Sequence, residues 1–388
     1  MARLLVISAD THTGAPQAEY LPYLDPEYRQ PFETALAADA EAAAADDLPD
    51  LADRLFTQEV QSQAKEERGH AVESTVIGNA STGSWDPTLR LKELEADGCV
   101  GDVLFPGGLQ KVNDSPPFAE SQRAGLRAAG LHAYNRWLAD LCSHDPARHA
   151  GVALVDLDNI DRAVEEIRWA KDAGLRGGIL LPASTGELPP YNHPRYEPIW
   201  QTCAELEQPV NVHSGDSPVY DFDLPGAMGI FMTEVLWFAH RPLWYLLWAG
   251  VFERHPTLKF ALVEQGATWV PDVLDTMDMI HGMDHFTYLR DDLPLKPIEY
   301  WHRQCFVNGG LGDRRVHDQV GIDNLMWGSD YPHFEGTWPH SKDRIADGIV
   351  GMPRADVDKV LGGNAARVYG FDLDQLAPIA AGVGPEVA

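Results

Sequence analysis

Two histidines and two aspartates have the residue types and local settings to hold a metal ion. They are Asp10 and His12 in Ser8-Ala9-Asp10-Thr11-His12, His213 in Asn211-Val212-His213, and Asp330 in Met326-Trp327-Gly328-Ser329-Asp330. In an extended chain alternate side chains share a face, so Asp10 and His12 project together. Two imidazoles and two carboxylates make a mixed nitrogen and oxygen set, suited to one divalent ion, Zn²⁺ first and Mn²⁺ or Fe²⁺ next, that keeps a position open for water or substrate. No thiolate joins them. Cys99, Cys142, Cys203 and Cys305 lie far apart without a CxxC pair, which fits neither a disulfide framework nor a cysteine zinc site and points to a reducing cytoplasm. Taken singly each segment is weak, because an Asp-x-His also occurs in ordinary loop turns and an Asp330 can cap a loop.

The elements that would bring the four together are strands ending at one face. Eight short β-rich apolar runs recur: Leu4 to Ala9, Gly101 to Phe105, Gly151 to Val155, Gly177 to Leu181, Pro209 to His213, Lys259 to Val263, Cys305 to Asn308 and Leu325 to Ser329. Helical segments separate them, as in Ile160 to Ala173, which follows the potential caps Asp158 and Asn159 and stops at Gly174. This alternation predicts an α/β fold, a (β/α)8 TIM barrel, in which the C-terminal strand ends converge on one face. The candidate ligands follow runs one, five and eight. Residues 1–376 are expected to form one domain and 377–388 a loose tail. Long insertions are expected over about 14–97, read as helical excursions over the barrel mouth, and over 216–254, an aromatic-rich stretch read as a helix packed on the core.

With these motifs in view, the chain resembles the amidohydrolase superfamily, in the amidohydrolase-2 branch that includes aminocarboxymuconate-semialdehyde decarboxylase-like enzymes. The resemblance rests on Ala9-Asp10-Thr11-His12, Asn211-Val212-His213, Trp327-Gly328-Ser329-Asp330-Tyr331-Pro332-His333 and Gly363-Asn364-Ala365-Ala366-Arg367. It implies that His12, His213 and Asp330 are metal ligands and that Asp330 also handles a proton. Asp10 stands where many relatives have histidine, and a carboxylate there favours a harder ion such as Mn²⁺ alongside Zn²⁺. After strand six the family usually offers a histidine, whereas this chain reads Leu262-Val263-Glu264-Gln265-Gly266. Glu264 is open to four roles: metal ligand, general acid or base, partner for His213, or structural ion pair.

His333, Glu335 and Trp338 follow Asp330 closely and are candidates for the mouth, His333 as a catalytic group and the others as substrate contacts. His240 with Arg241 is a further candidate substrate-binding pair in the aromatic stretch. The formal charge of -29 and the lack of a basic stripe argue against nucleic acid, and no apolar run approaches the roughly 20 residues of a membrane span. A small-molecule substrate and a homodimer are the expected partners. No nucleophile elbow or phosphate-binding glycine motif occurs, so no organic cofactor is expected. The first reading is a metal-dependent hydrolase acting on an amide, ester, lactone or activated carbon–carbon bond. Its rival is a metal-dependent nonoxidative decarboxylase. A noncatalytic small-molecule-binding barrel is the third reading.

Overall fold

Runs rich in apolar side chains form parallel strands here because both of their faces are covered, one by the barrel interior and one by helices. The computed structural model describes residues 3–45, 82–107, 116–118, 124–215, 220–221, 224–333 and 336–386. Its strands are β1 (Ile7–Thr13), β2 (Gly101–Pro106), β3 in two pieces (His149–Gly151 and Ala153–Leu154), β4 (Ile179–Leu180), β5 (Val210–His213), β6 (Phe260–Val263), β7 (Cys305–Asn308) and β8 (Leu325–Met326). Sequential strands pair in parallel. The ladder passes through the break in β3, where Val152 N donates to Leu104 O at 3.0 Å and Ala153 N to Gly178 O at 2.8 Å. It closes where Ala9 N donates to Trp327 O at 2.8 Å. The fold is the TIM barrel that the alternation predicts.

Alternate strand residues fill two layers. Ile7, Ala9, Val103, Phe105, Val152, Ala261, Val263, Phe306 and Met326 form one cluster inside the barrel. Val6, Val210, Val212, Phe260, Leu262, Val307 and Leu325 belong to another, shared with the helices. In β1 the register shifts between Ser8 and Thr11, leaving one extra residue opposite β2. Such a bulge reverses which residues face inward. Ile7 and Ala9 therefore point into the barrel below the shift, and Asp10 and His12 do so above it, while Thr11 turns outward to Asp102.

A buried polar network braces the outside of this bulge. The helix Pro87–Asp97 starts where the Asp86 side chain accepts from the amides of Thr88 and Leu89, with proline at its first position. It carries Arg90, fully buried, whose Nε donates to Asp102 Oδ2 at 2.8 Å. Its other nitrogens reach the His12 carbonyl at 2.9 Å and Thr11 Oγ1 at 2.7 Å. His149 Nδ1 lies 2.7 Å from Asp102 Oδ1. Burial raises the Asp102 carboxyl, but the charges of Arg90 and His149 outweigh it and hold that group well below the usual carboxylate range.

Neither insertion is described over its whole length. Of the first, residues 46–81 lie outside the described residues. The part before them, including the helix Pro26–Ala45, packs along the helix Ala124–Ser143, with Tyr20 against Tyr134 and Trp137, and Phe32 clustered with Ala133. The aromatic stretch contains the helix Ala227–Trp248, which buries Val235, Ala239, Leu243, Leu246 and Leu247 and exposes Ile230, Met232 and Trp237. The tail expected to be loose is helical over Leu373–Val383, capped by Asp372, and tied down where Leu4 N donates to Pro385 O at 2.9 Å. It stays ordered because Leu376 and Ala380 complete the apolar layer that closes the barrel floor.

Arg90→Met would strand the Asp102 carboxylate, and losing one partner of a buried ion pair costs about 3–5 kcal/mol. Urea unfolding at pH 7 should show a loss of this size. Because the folded Asp102 value is depressed, its stabilisation is complete above the unfolded value of about 4 and fades as pH falls below it. The gap between wild type and variant should therefore narrow in acid, and a gap that widened would contradict the assignment.

Candidate metal centre

The strand ends bring together more of the expected residues than the four that define the motif. Asp10 and His12 lie at the end of β1, His213 closes β5, Glu264 follows β6, and Asp330 and His333 follow β8. Asp10, His12, His213 and Glu264 each offer a ligand atom within 4.8 Å of the others, and so do His12, Glu264, Asp330 and His333. His213 Nε2 lies 3.3 Å from Asp10 Oδ1 and 3.2 Å from Glu264 Oε2. His12 Nε2 lies 3.3 Å from Asp330 Oδ1, 3.7 Å from Glu264 Oε2 and 3.8 Å from Asp10 Oδ1. His333 stacks on His12 with ring centroids 3.9 Å apart, and its Nδ1 is 3.0 Å from Asp330 Oδ1.

Each candidate ligand histidine is oriented through its outer nitrogen. His12 Nδ1 is 2.9 Å from the Pro106 carbonyl and His213 Nδ1 is 2.9 Å from that of Ser214. A carbonyl only accepts, so it fixes the Nδ1–H tautomer and leaves each Nε2 with its lone pair toward the carboxylates. His12 Nε2 and Asp330 Oδ1 are both buried and form no hydrogen bond of proper geometry. Buried polar atoms normally find a partner, and this pair faces a set of carboxylates that would otherwise repel one another. The donor set fits a divalent cation.

The protonation balance of the bare site points the same way. Burial lowers His12, yet Asp330, Glu264 and Asp10 together raise it well above its ordinary value. Burial also lowers His213, and Glu264 and Asp10 overcome it. Burial raises Glu264, but His213 and His12 bring it below its usual value. Asp330, likewise raised by burial, is held below the carboxylate range chiefly by His333 and His12. The side chains thus hold positive charge where a cation would sit.

Glu264 and Asp330 share an uncommon backbone, with φ of 53° and 56°. This left-handed region is unfavourable for residues with a side chain and persists where neighbours enforce it. Glu264 N donates to Asn308 Oδ1 at 2.7 Å, and Asp330 N donates to Asp10 O at 2.9 Å. Asn308 Nδ2 also donates to Asp10 Oδ2 at 3.0 Å, so one amide at the end of β7 positions two acids. Gly328 leaves room for this, since a Cβ there would lie 2.4 Å from that of Asp10. Sequence reasoning missed Asn308, although a polar residue ending an apolar strand at the C-terminal face was the available signal.

The remaining candidates divide. His240 is buried, stacked on Trp269 at 3.6 Å and hydrogen-bonded to the Gln265 backbone; burial lowers it to about 4, so it is neutral at pH 7. Arg241 does not pair with it, but donates to Tyr245 Oη at 3.0 Å and lies over the Phe238 and Tyr245 rings. Trp338 is buried edge-on against Tyr331, whose hydroxyl bonds Glu93, so it braces the β8 loop and is not in the donor set. Glu335 lies outside the described residues.

Comparison with known proteins agrees with this architecture. The chain is 27% identical to the gamma-resorcylate decarboxylase of Rhodococcus jostii (strain RHA1) over 263 residues, 61% of this chain and 75% of that protein. An amidohydrolase structure from Mycobacterium avium subsp. paratuberculosis K-10 superposes with a TM-score of 0.70 at 18% identity, covering 96% of this chain and 100% of its own. A 5-carboxyvanillate decarboxylase from Novosphingobium aromaticivorans DSM 12444, solved with bound manganese and 3-methoxy-4-hydroxy-5-nitrobenzoic acid, gives 0.63 at 17% identity, covering 95% and 97%. The family model Amidohydro_2, described as Amidohydrolase, matches residues 117–371. The chain belongs to the amidohydrolase family.

Proposed function

We propose that this chain is a metal-dependent nonoxidative decarboxylase that releases CO₂ from a small hydroxylated aromatic carboxylic acid. Asp10, His12 and His213 would hold the ion, with Asp330 at the edge of that set and His333 as its proton partner. The observation that carries the reading is the 27% identity to a gamma-resorcylate decarboxylase over 263 residues. Manganese in the solved 5-carboxyvanillate decarboxylase, together with the several carboxylates here, favours Mn²⁺ over the Zn²⁺ expected from sequence.

The bound ion would supply a positive centre on which a carboxylate and an adjacent hydroxyl are held and polarised. Replacing the carboxylate by hydrogen requires one proton at the ring carbon that loses CO₂. Asp330 and His333, 3.0 Å apart, can carry that proton between them, and the partly exposed His333 connects them to solvent. Stacking on His12 fixes the imidazole plane during the transfer. The neutral His240 adds no charge to the wall beside Glu264. Membership of the amidohydrolase family keeps hydrolysis as the second reading, with the Asp330–His333 pair accepting a proton from water instead of delivering one to carbon.

Manganese-loaded protein incubated in D₂O with a panel of hydroxybenzoic acids should release CO₂ and place deuterium on the vacated ring carbon. Ester or lactone hydrolysis with no CO₂ from any of them would favour the hydrolase. Asp330→Asn should lower kcat about 10²–10⁴-fold, the range for loss of a general acid or base, whereas His213→Ala should lose the metal itself, as read by elemental mass spectrometry.

Loading must also displace protons. His12 and His213 are raised in the metal-free chain, so their protonated forms persist above pH 6.5, and an ion binds only the neutral rings. Apparent Mn²⁺ affinity should fall as pH drops through 7, by up to about tenfold per unit for each proton displaced. Calorimetry in buffers of different ionisation heat counts those protons; pH-independent affinity between 6 and 8 would contradict the raised imidazoles.

A further inference from the structure

We infer that Glu264 is itself a ligand to the ion, forming a compact four-residue set with Asp10, His12 and His213. This rests on the reading above that the centre binds a divalent cation. The argument begins with which nitrogen Glu264 faces. A carboxylate that merely orients a ligand histidine accepts from the nitrogen turned away from the metal. In this chain those outer nitrogens are taken by the carbonyls of Pro106 and Ser214. Glu264 Oε2 instead faces the inner nitrogens, 3.2 Å from His213 Nε2 and 3.7 Å from His12 Nε2.

Asp10 Oδ1 stands in the same relation to the same two atoms, at 3.3 and 3.8 Å. The two acids thus flank the imidazole pair alike. Donors bound at about 2.0–2.2 Å at tetrahedral or octahedral angles lie about 3.0–3.5 Å apart, close to these spacings. Asn308 fixes both acids, one through the Glu264 amide and the other through the Asp10 carboxylate.

Asp330 is placed differently. Its short contacts run to His12 and His333, and the compact group that contains it includes neither Asp10 nor His213. His12 has one nitrogen to give, because the other serves Pro106, so the two overlapping groups cannot each hold an ion. They describe one cation, with Asp330 on its His12 side and beside His333. Two carboxylates and two neutral imidazoles also make a harder, charge-neutralising set that suits Mn²⁺ better than an imidazole-rich one.

The test uses full-length protein with Mn²⁺ and Co²⁺ as probes. Glu264→Gln keeps the shape but removes the anionic oxygen, and Glu264→Asp keeps the charge on a shorter arm. If Glu264 is a ligand, Glu264→Gln should weaken Mn²⁺ binding by more than the roughly 10–100-fold typical of an outer partner, and should shift the visible absorption of bound Co²⁺. Glu264→Asp should fall between it and wild type. Metal-free circular dichroism and melting temperature establish that each variant is folded, and Glu264→Asp carries the test if Glu264→Gln is not. An unchanged Co²⁺ spectrum, whether affinity falls or holds, would overturn the ligand assignment while leaving the metal reading intact. Failure of wild type to take up either ion would overturn both.

Discussion

The single extra residue in β1 is the constraint on which the candidate centre depends. Below the shift between Ser8 and Thr11, Ile7 and Ala9 fill the barrel interior; above it, Asp10 and His12 take the inward positions. Without that change of parity, Thr11 and Thr13 would follow Ile7 and Ala9 inward, and Asp10 and His12 would face out. The barrel seam lies beside it, with Asp330 N on Asp10 O and Ala9 N on Trp327 O. Closing the sheet therefore also sets the distance between the first and last acids of the site. Arg90 locks the outer side of the shift by donating to Thr11 Oγ1 and the His12 carbonyl, so the helix that ends the first insertion holds the strand carrying Asp10 and His12 in shape.

Much of this was legible because barrels and strands announce themselves through apolar runs. All eight strand positions were readable, and the Asp-x-His, Asn-Val-His and Trp-Gly-Ser-Asp segments marked their C-terminal ends. Other features were not readable, for physical reasons. A bulge leaves no residue signature when the chain passes from Ala9 to Asp10 without glycine. Asn308 looked like the polar end of a strand, since its two hydrogen bonds go to Glu264 and Asp10, residues far away in sequence. The C-terminal segment read as loose from its Ala, Gly and Pro content, because propensity says nothing of the floor against which Leu376 packs. The choice between the two reactions was beyond the reach of ligand chemistry, because the same donor set can hold an ion that activates a water for hydrolysis or one that holds a carboxylate for decarboxylation.

The left-handed backbones at Glu264 and Asp330 show where the fold spends stability on geometry. Each conformation costs on the order of 1–3 kcal/mol, and each is held through its own amide, by Asn308 in one case and the Asp10 carbonyl in the other. Both residues stand at the C-terminal face, just where a strand gives way to a loop. A positive φ there turns the chain sharply, so the side chain aims across the barrel axis while the loop departs outward. Glycine would adopt the turn more easily but would offer no carboxylate. At these two positions the chemical group has prevailed over the local backbone preference.

An acid, Glu264, follows β6 where the family resemblance leads one to expect a histidine. An imidazole there would be an available proton carrier, whereas Glu264 is drawn toward its ionised form by His213 and His12 and faces their inner nitrogens. A carboxylate so placed is better suited to balancing positive charge than to delivering a proton at neutral pH. His333, three residues beyond Asp330, has its Nδ1 3.0 Å from Asp330 Oδ1 and stacks on His12. The β8 loop that presents His333 is fixed from beneath by Tyr331, packed against Trp338 and bonded to Glu93. Arg90 and Glu93 lie on one face of the same helix, so a single element braces the strand that offers His12 and the loop that offers His333. His12 and His333, stacked on each other, are thereby held on one rigid frame, with Glu264 and Asp330 beside them.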